Sequence, residues 1–399
     1  MNPLLSTLQP YPFERLRALF AGVTPNADKR AISLGIGEPK HPTPAVITDA
    51  LMANLSGLAT YPATGGTPAF KQACANWAQR RYGATLDPAT QVLPVSGTRE
   101  ALFSLAQAVV DPGVEGATVI SPNPFYQIYE GAALLAGAQP LYVPSDPARN
   151  FGLDWSQVSP AQWTQTQLVY VCSPGNPTGA VLNRSEWAQL FELSDRYGFV
   201  IAADECYSEI YFGEQAPLGA LQVATELGRT DFKNLVFFTS LSKRSNAPGL
   251  RSGFVAGDAK VLQQFLLYRT YHGSALSVSV QAASIAAWND EAHVQDNRAK
   301  YREKFAAVTP LLASVMDVKL PDAGFYLWAG VPQRFDGDDT AFARDLYAQY
   351  NVTVLPGSYL ARSVHGHNPG AGRVRMALVA ETAECLEAAE RIVSFCQPG

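Results

Sequence analysis

Cysteine and histidine are both scarce, with five of each in 399 residues. Cys74, Cys172, Cys206, Cys385 and Cys396 are scattered, odd in number and without CxxC spacing. That argues against a disulfide framework or a structural zinc, and for reduced thiols in a cytoplasmic protein. Only His365 and His367 lie close together, in HGHNPG, which reads as a surface loop and not as a metal site. No apolar run approaches the length of a membrane span. The stretch MNPLLSTLQPYPFERLRALF lacks the cationic start and apolar core of a secretory leader. Charged residues make up only 16% of the chain and the net charge is −5, so neither nucleic acid nor an anionic membrane is an expected partner. There is no internal repeat and no low-complexity segment. What remains is an apolar-rich chain long enough for two domains.

Its texture divides near residue 285. Before that point, short apolar runs at 92–95, 117–121, 167–172, 199–203 and 235–239 read as buried strands. They alternate with helical stretches at 45–55, 68–82, 98–110 and 185–197. Alternation of this kind predicts an α/β fold, a mostly parallel sheet covered by helices on both faces. After it come a long helix at about 290–316, short strands at 317–320 and 325–329, a helix at 340–349 and a strand at 352–355. A further strand at Arg373 to Leu378 and a last helix at 382–396 follow, which reads as a smaller α+β domain. The expected division is an arm at 1–44 that shares in the small domain, a large domain at 45–285 and a small domain at 286–399.

Open parallel sheets bind ligands beyond the carboxyl ends of their strands. Five consecutive predicted strands here end in polar residues of complementary chemistry: Gly97-Thr98, Tyr126, Asn176, Asp204 with Tyr207, and Lys243. The Ser96-Gly97-Thr98-Arg99-Glu100 turn leads straight into a helix, whose first turn offers unpaired N–H groups and a positive dipole end to an anion. Ser240, Ser242 and Arg251 surround Lys243 with hydroxyls and a forked cation, a second set of phosphate donors. A partly desolvated lysine near other cations loses its proton readily, and the neutral amine condenses with carbonyls. Pro248-Gly249 prevents a helix from running on through this loop. Gly37, at the turn after Ile32 to Ile36, lets backbone approach a ligand closely.

The combination SPGNPTG, ADECY and SLSKRSNAPGLRSG, with VRMAL near the carboxyl terminus, resembles the class I/II aminotransferases of pyridoxal-phosphate fold type I, in order and spacing over nearly the whole chain. The resemblance implies pyridoxal 5′-phosphate as cofactor, transamination between amino and keto acids with glutamate and 2-oxoglutarate as one pair, and a homodimer. It implies that Lys243 condenses with the cofactor aldehyde, Asp204 faces the pyridine nitrogen, and Asn176 and Tyr207 reach the ring hydroxyl. Tyr126 corresponds to the stacking aromatic, with the adjacent Phe125 as rival. Gly97, Thr98, Arg99, Ser240, Ser242 and Arg251 correspond to the phosphate cradle, and Tyr61 to the tyrosine that reaches the phosphate from a neighbouring subunit. Arg375 corresponds to the grip on the substrate α-carboxylate, with Gly37 and Asn176 at the same end and Arg373 as the competing arginine. Cys206 reads as a small buried filler.

The run Lys243-Arg244-Ser245-Asn246-Ala247-Pro248-Gly249-Leu250-Arg251, with GIGEPKHPTP and SPGNPTG, is most similar to N-succinyl-L,L-diaminopimelate aminotransferases of bacterial lysine biosynthesis. Such a substrate carries a distal carboxylate, for which Arg15, Arg17, Lys40, Arg244 and Arg269 are candidate partners. Aminotransferases for aspartate or acetylornithine, a C–S β-lyase on the same scaffold, and a dinucleotide-binding protein are the alternatives. The last is weak, because the turn is SGTRE and not GxGxxG.

Overall fold

The structure, a computed structural model, describes residues 1–397. Its strands among these residues are β1 (Ile32–Ser33), β2 (Val92–Val95), β3 (Thr118–Asn123), β4 (Gln139–Asp146), β5 (Gly152–Leu153), β6 (Thr166–Cys172), β7 (Val200–Asp204), β8 (Leu235–Ser240), β9 (Gly253–Gly257), β10 (Tyr326–Gly330), β11 (Val352–Thr353), β12 (Leu355–Pro356) and β13 (Arg373–Ala377). Eight of them form one sheet in the order β2-β9-β8-β7-β6-β3-β4-β5. The ladder from β8 through β7, β6 and β3 to β4 is parallel, as the alternation of strands and helices predicts. Three strands of this sheet, β4, β5 and β9, escaped the sequence pattern, and two of them run the other way. β5 lies antiparallel on β4, and β9 is inserted between β2 and β8 antiparallel to both.

Successive residues of a strand face opposite sides of its sheet, and both sides here are dry. Phe237 joins Trp77, Trp187, Phe254 and Trp288 in a core beneath helices Pro68–Tyr82, Arg184–Tyr197 and Val278–Asn289. Its neighbour Phe238 joins Leu102, Leu105, Tyr129 and Tyr170 beneath helices Thr98–Val109 and Ile128–Leu135. Burying each such ring contributes about 1.5–3 kcal/mol, which holds the strand ends in fixed positions. The helices stop where their caps dictate. Asn183 and Glu186 form a reciprocal capping box at the start of Arg184–Tyr197, and Gly198 ends it in the left-handed region.

A second core, around Tyr301, Phe305, Phe325, Met376 and Ile392, lies between the β10-β13-β12 sheet and helices Ala292–Ala313, Asp339–Tyr350 and Thr382–Cys396. β1 pairs in parallel with β11, so Ile32 and Leu34 belong to this core although they come from the amino-terminal end. The strand expected at 317–320 does not form. A single bridge joins Asp317 to Gly330, Val318 is half-buried and Leu320 exposed, so the segment has neither a ladder nor an apolar face to bury.

Register fixes what happens at the carboxyl edge. Val95, Gly253 and Ser240 stand in one row across β2, β9 and β8. The turn after β2, the segment entering β9 and the turn after β8 therefore emerge side by side.

Candidate active site

An open cavity of about 640 Å³ lies beyond that edge. Lys243 enters it from a one-turn helix, Leu241–Arg244, which starts directly at the end of β8. The sequence suggested that no helix would run on here. One turn fits because Pro248 comes only after it, as the first residue of a separate 3-10 turn. The Lys243 ammonium donates to the carbonyl of Gly37 and lies 5.2 Å from the centre of the Phe325 ring. Burial, with Arg375 and Arg251 nearby, holds its pKa down at about 8.

Two observations build an anion site at one end. Gly97 begins helix Thr98–Val109 with φ 81°, and a Cβ there would lie 2.2 Å from a guanidinium nitrogen of Arg251. Only glycine lets that arginine settle over the helix N-terminus. Thr98, Ser240, Ser242 and Arg251 all line the cavity here. The turn is braced from behind: Glu100 accepts the Ser96 N–H at 2.8 Å and two bonds from Arg269 at 2.9 and 2.8 Å.

At the other end of the lysine, Asp204 closes β7. It is buried, accepts from the Tyr129 hydroxyl at 2.7 Å, and burial raises its pKa. A cation held against this carboxylate would repay that desolvation. Tyr129 was not among the expected residues, although it stands one helical turn after Tyr126. Tyr126 lines the cavity and accepts a hydrogen bond from Arg99 Nε at 2.9 Å. Phe125 does not reach the cavity; it is buried and stacked on Tyr142. The geometry thus favours Tyr126 over Phe125 as the ring facing a ligand. Cys206 is no mere filler, since it lines the cavity with Sγ 3.1 Å from the Thr98 hydroxyl. Burial and the Asp204 charge keep it a thiol.

Arg375, on β13, crosses into the cavity from the second core. It donates to Asn176 Oδ1 and to the Gly35 carbonyl, both at 2.9 Å, and lies over the Tyr326 ring. Its Nε is buried without a partner among the described residues, a guanidinium edge with a hydrogen to give. With its oxygen on Arg375, the Asn176 amide keeps its NH₂ for another acceptor. Tyr207 shares a 3.2 Å hydrogen bond with the Tyr326 hydroxyl, and a Cβ on Gly37 would lie 1.9 Å from that same hydroxyl. Gly37 thus admits Tyr326 as well as offering its carbonyl to the lysine. Arg373 is spent elsewhere, on Asp317 at 2.8 Å.

Some expected residues are not brought together. Tyr61 is fully exposed and does not line the cavity of its own chain. None of Arg15, Arg17, Lys40, Arg244 and Arg269 lines it either. Arg244 is buried against Trp288 and bonded to Glu291 and the carbonyl of Ala287, and Arg269 serves Glu100. Lys40 pairs with Glu384, and Arg15 lies over Tyr359. Arg99, exposed at the rim, faces the cavity without a carboxylate partner among the described residues, as do Lys243, Arg251 and Arg375 deeper in. No cluster of His, Cys, Asp or Glu among the described residues is placed to hold a metal ion, and no helix is long and apolar enough to cross a membrane.

Comparison with known proteins gives the family. The family model for aminotransferase class I and II matches residues 29–392. The chain belongs to the class I and II aminotransferases. A solved aminotransferase from Neisseria meningitidis superposes on this one with a TM-score of 0.96 at 56% identity, covering 100% of both chains. The aminotransferase AspB of Helicobacter pylori does so with a TM-score of 0.89 at 35% identity, covering 98% of this chain and 100% of its own. The LL-diaminopimelate aminotransferase of Desulforudis audaxviator is 33% identical over 400 residues, 97% of this chain and 96% of that one. This aminotransferase has fold type I, and its cofactor is pyridoxal 5′-phosphate. The residues present fit that group: an anion cradle that a single Cβ would fill, a lysine with depressed pKa, and a buried carboxylate lacking a cation.

Proposed function

We propose that this aminotransferase moves the free α-amino group of N-succinyl-L,L-diaminopimelate to 2-oxoglutarate, giving N-succinyl-2-amino-6-oxopimelate and L-glutamate, in lysine biosynthesis. The observation that carries transamination of an α-amino acid is the buried Arg375 Nε, unpartnered and in one cavity with Lys243. Support for a diaminopimelate skeleton comes from relatives described as LL-diaminopimelate aminotransferases. Support for the succinyl group comes from the likeness of the Lys243 to Pro248 loop, and from Arg99, a cation without a carboxylate partner at the rim.

Pyridoxal phosphate supplies an aldehyde that takes up the amino group and a pyridine ring that accepts electrons from the substrate Cα. The chain does the rest. Arg251, Ser240, Ser242, Thr98 and the N-terminus at Gly97 hold the phosphate, with Arg99 beside them. Asp204 would hold the proton on the pyridine nitrogen, Asn176 and Tyr207 would donate to the ring oxygen, and Tyr126 would lie against the ring. Arg375 grips the α-carboxylate bidentately, which aims Cα at Lys243. The lysine, at a pKa of about 8, passes between amine and ammonium near neutral pH and so moves the proton from Cα. Residues 1–44 with 286–399 act as one unit against 45–285, a division supported by the seat of Ile32 and Leu34 in the carboxyl-terminal core. The enzyme works as a cytoplasmic homodimer, in which Tyr61, exposed beside Leu58 and Leu55, reaches the partner subunit's phosphate.

A second reading takes unmodified L,L-diaminopimelate as substrate, as the names of those relatives would have it; Glu38 on the cavity wall suits its distal ammonium. The test adds one amino acid at a time to the yellow holoenzyme, with no keto acid present. Bleaching by both N-succinyl-L,L-diaminopimelate and L-glutamate supports the proposal. Bleaching by glutamate and free diaminopimelate, but not by the succinyl compound, hands the substrate to the second reading. Bleaching by neither, with pyruvate and ammonia released from a sulfur amino acid, would make the enzyme a lyase.

A further inference from the structure

Behind the lysine turn lies a chain of polar groups that line no part of the cavity and have no part in the chemistry above. Lys304 is 0% exposed, Asn297 2% and His41 5%, so water serves none of them. Lys304 has no carboxylate within ion-pair distance among the described residues, which is rare for a buried ammonium. Its Nζ lies 2.7 Å from His41 Nε2 and 3.4 Å from the Val379 carbonyl. His41 Nδ1 lies 3.0 Å from Asn297 Oδ1, which also accepts from Asn246 at 2.9 Å. Asn297 Nδ2 then reaches the carbonyl oxygens of Lys243 and Arg244 at 3.3 and 3.5 Å.

The direction of every bond follows from chemistry. Peptide carbonyls only accept, so Asn297 must turn its NH₂ to the lysine turn and its oxygen to His41 and Asn246. His41 must then donate from Nδ1 and accept at Nε2, which Lys304 supplies. Burial lowers the pKa of His41 and favours the neutral ring this requires. Hydrogen bonds therefore run one way, from Lys304 through His41 and Asn297 to the peptide of Lys243. A one-turn helix has too few internal bonds to satisfy its last carbonyls or hold its own orientation. The three groups come from the amino-terminal segment and from helix Ala292–Ala313, both outside the sheet that carries Lys243.

We propose that Asn297 is a positioning residue for Lys243, and that Lys304 orients it through His41. The proposal rests on Lys243 being the lysine that engages the cofactor. Its test compares His41→Leu, which cuts the relay, with His41→Gln, whose carbonyl accepts from Lys304 while its amide donates to Asn297. In the holoenzyme His41→Leu should lower kcat by about tenfold or more while KM for glutamate stays close to that of the parent, the cost of a small misplacement. It should also move the pH midpoint of the bound cofactor's visible absorbance, and His41→Gln should restore both. Should His41→Leu fail to fold, Asn297→Asp is read in the same way, since it turns an acceptor toward the lysine carbonyl at unchanged volume. Unchanged kcat and absorbance midpoint with only a lower Tm would overturn the proposal, and so would equal damage from Leu and Gln. A Lys243→Ala enzyme that still turns over would remove the reading of the lysine itself, which the relay variants do not address.

Discussion

Replacing Glu100 by Gln tests the brace behind the anion site. Glu100 neutralises Arg269, whose side chain is 1% exposed, through two bonds of 2.9 and 2.8 Å, and it also holds the Ser96 N–H. Glutamine keeps the shape and one acceptor but leaves a buried guanidinium without its counter-charge. Breaking a buried pair from one side costs about 3–5 kcal/mol. Glu100 retains 23% exposure, and Arg269 also donates to the carbonyls of Pro94 and Ser274, so the lower end, about 3 kcal/mol, is expected. At an unfolding entropy of about 2 cal/mol/K per residue, 399 residues give about 0.8 kcal/mol/K, so the melting point should fall by about 4 °C. Calorimetry of the holoenzyme measures this, and added salt should change the difference little because the pair is shielded. The double variant Glu100→Gln/Arg269→Met removes the stranded charge and should recover part of the loss. A single variant melting within about 1 °C of the parent would place the pair with ordinary surface bridges and refute the reasoning.

Gly97→Ala forces a Cβ into the Arg251 guanidinium at φ 81°; strain of about 1–2 kcal/mol plus one lost charge-assisted bond should weaken cofactor binding by about tenfold to a hundredfold in an absorbance titration. Arg375→Lys keeps the charge but not the fork, and should raise KM for amino and keto acids alike, with a smaller change in kcat, in steady-state kinetics. Glu205, wholly buried and bonded to the Tyr82 hydroxyl and the Ala220 N–H, has its pKa pushed up to about 7 by burial. The folded chain thus keeps a proton there that the unfolded chain releases near pH 4.5. The stability this gives is complete below that pH and is lost as pH rises toward 7, by about 3 kcal/mol. Denaturant unfolding should show that slope in the parent but not in Glu205→Gln, and parallel slopes would sink the assignment.

The strand ends were legible because a buried strand must be apolar and its polar terminus then stands out, as at Val200–Asp204 and Leu235–Ser240. β9 was not, because Gly253–Gly257 is short, glycine-bounded and overlaps the motif that precedes it; its antiparallel sense is set by β2 and β8, 158 and 13 residues away at the Val95–Gly253–Ser240 row. β4 contains Pro140 and Pro144, which read as loop, and runs near the sheet's margin where missing donors are tolerated. Arg244 and Arg269 stand among the expected partners of a distal carboxylate because their actual partners, Glu291 and Glu100, lie far along the chain and leave no local trace. Arg375 and Arg373 could be told apart only weakly from spacing. In space their partners separate them, Asn176 and Gly35 for one and Asp317 for the other.

The antiparallel strand between β8 and β2 makes the site a gauge of length. Lys243 and Arg251 stand eight positions apart on one tight excursion, whose two feet, Ser240 and Gly253, are bolted together by the sheet. If Lys243 meets the aldehyde and Arg251 the phosphate, as proposed, the distance between those two groups is set by a short closed span, which no hinge between the two cores can stretch. A vitamer of the right chemistry but with one more methylene between ring and phosphate would satisfy one end only. The same closure means that the loop can neither gain nor lose a residue without putting its two functional ends out of step.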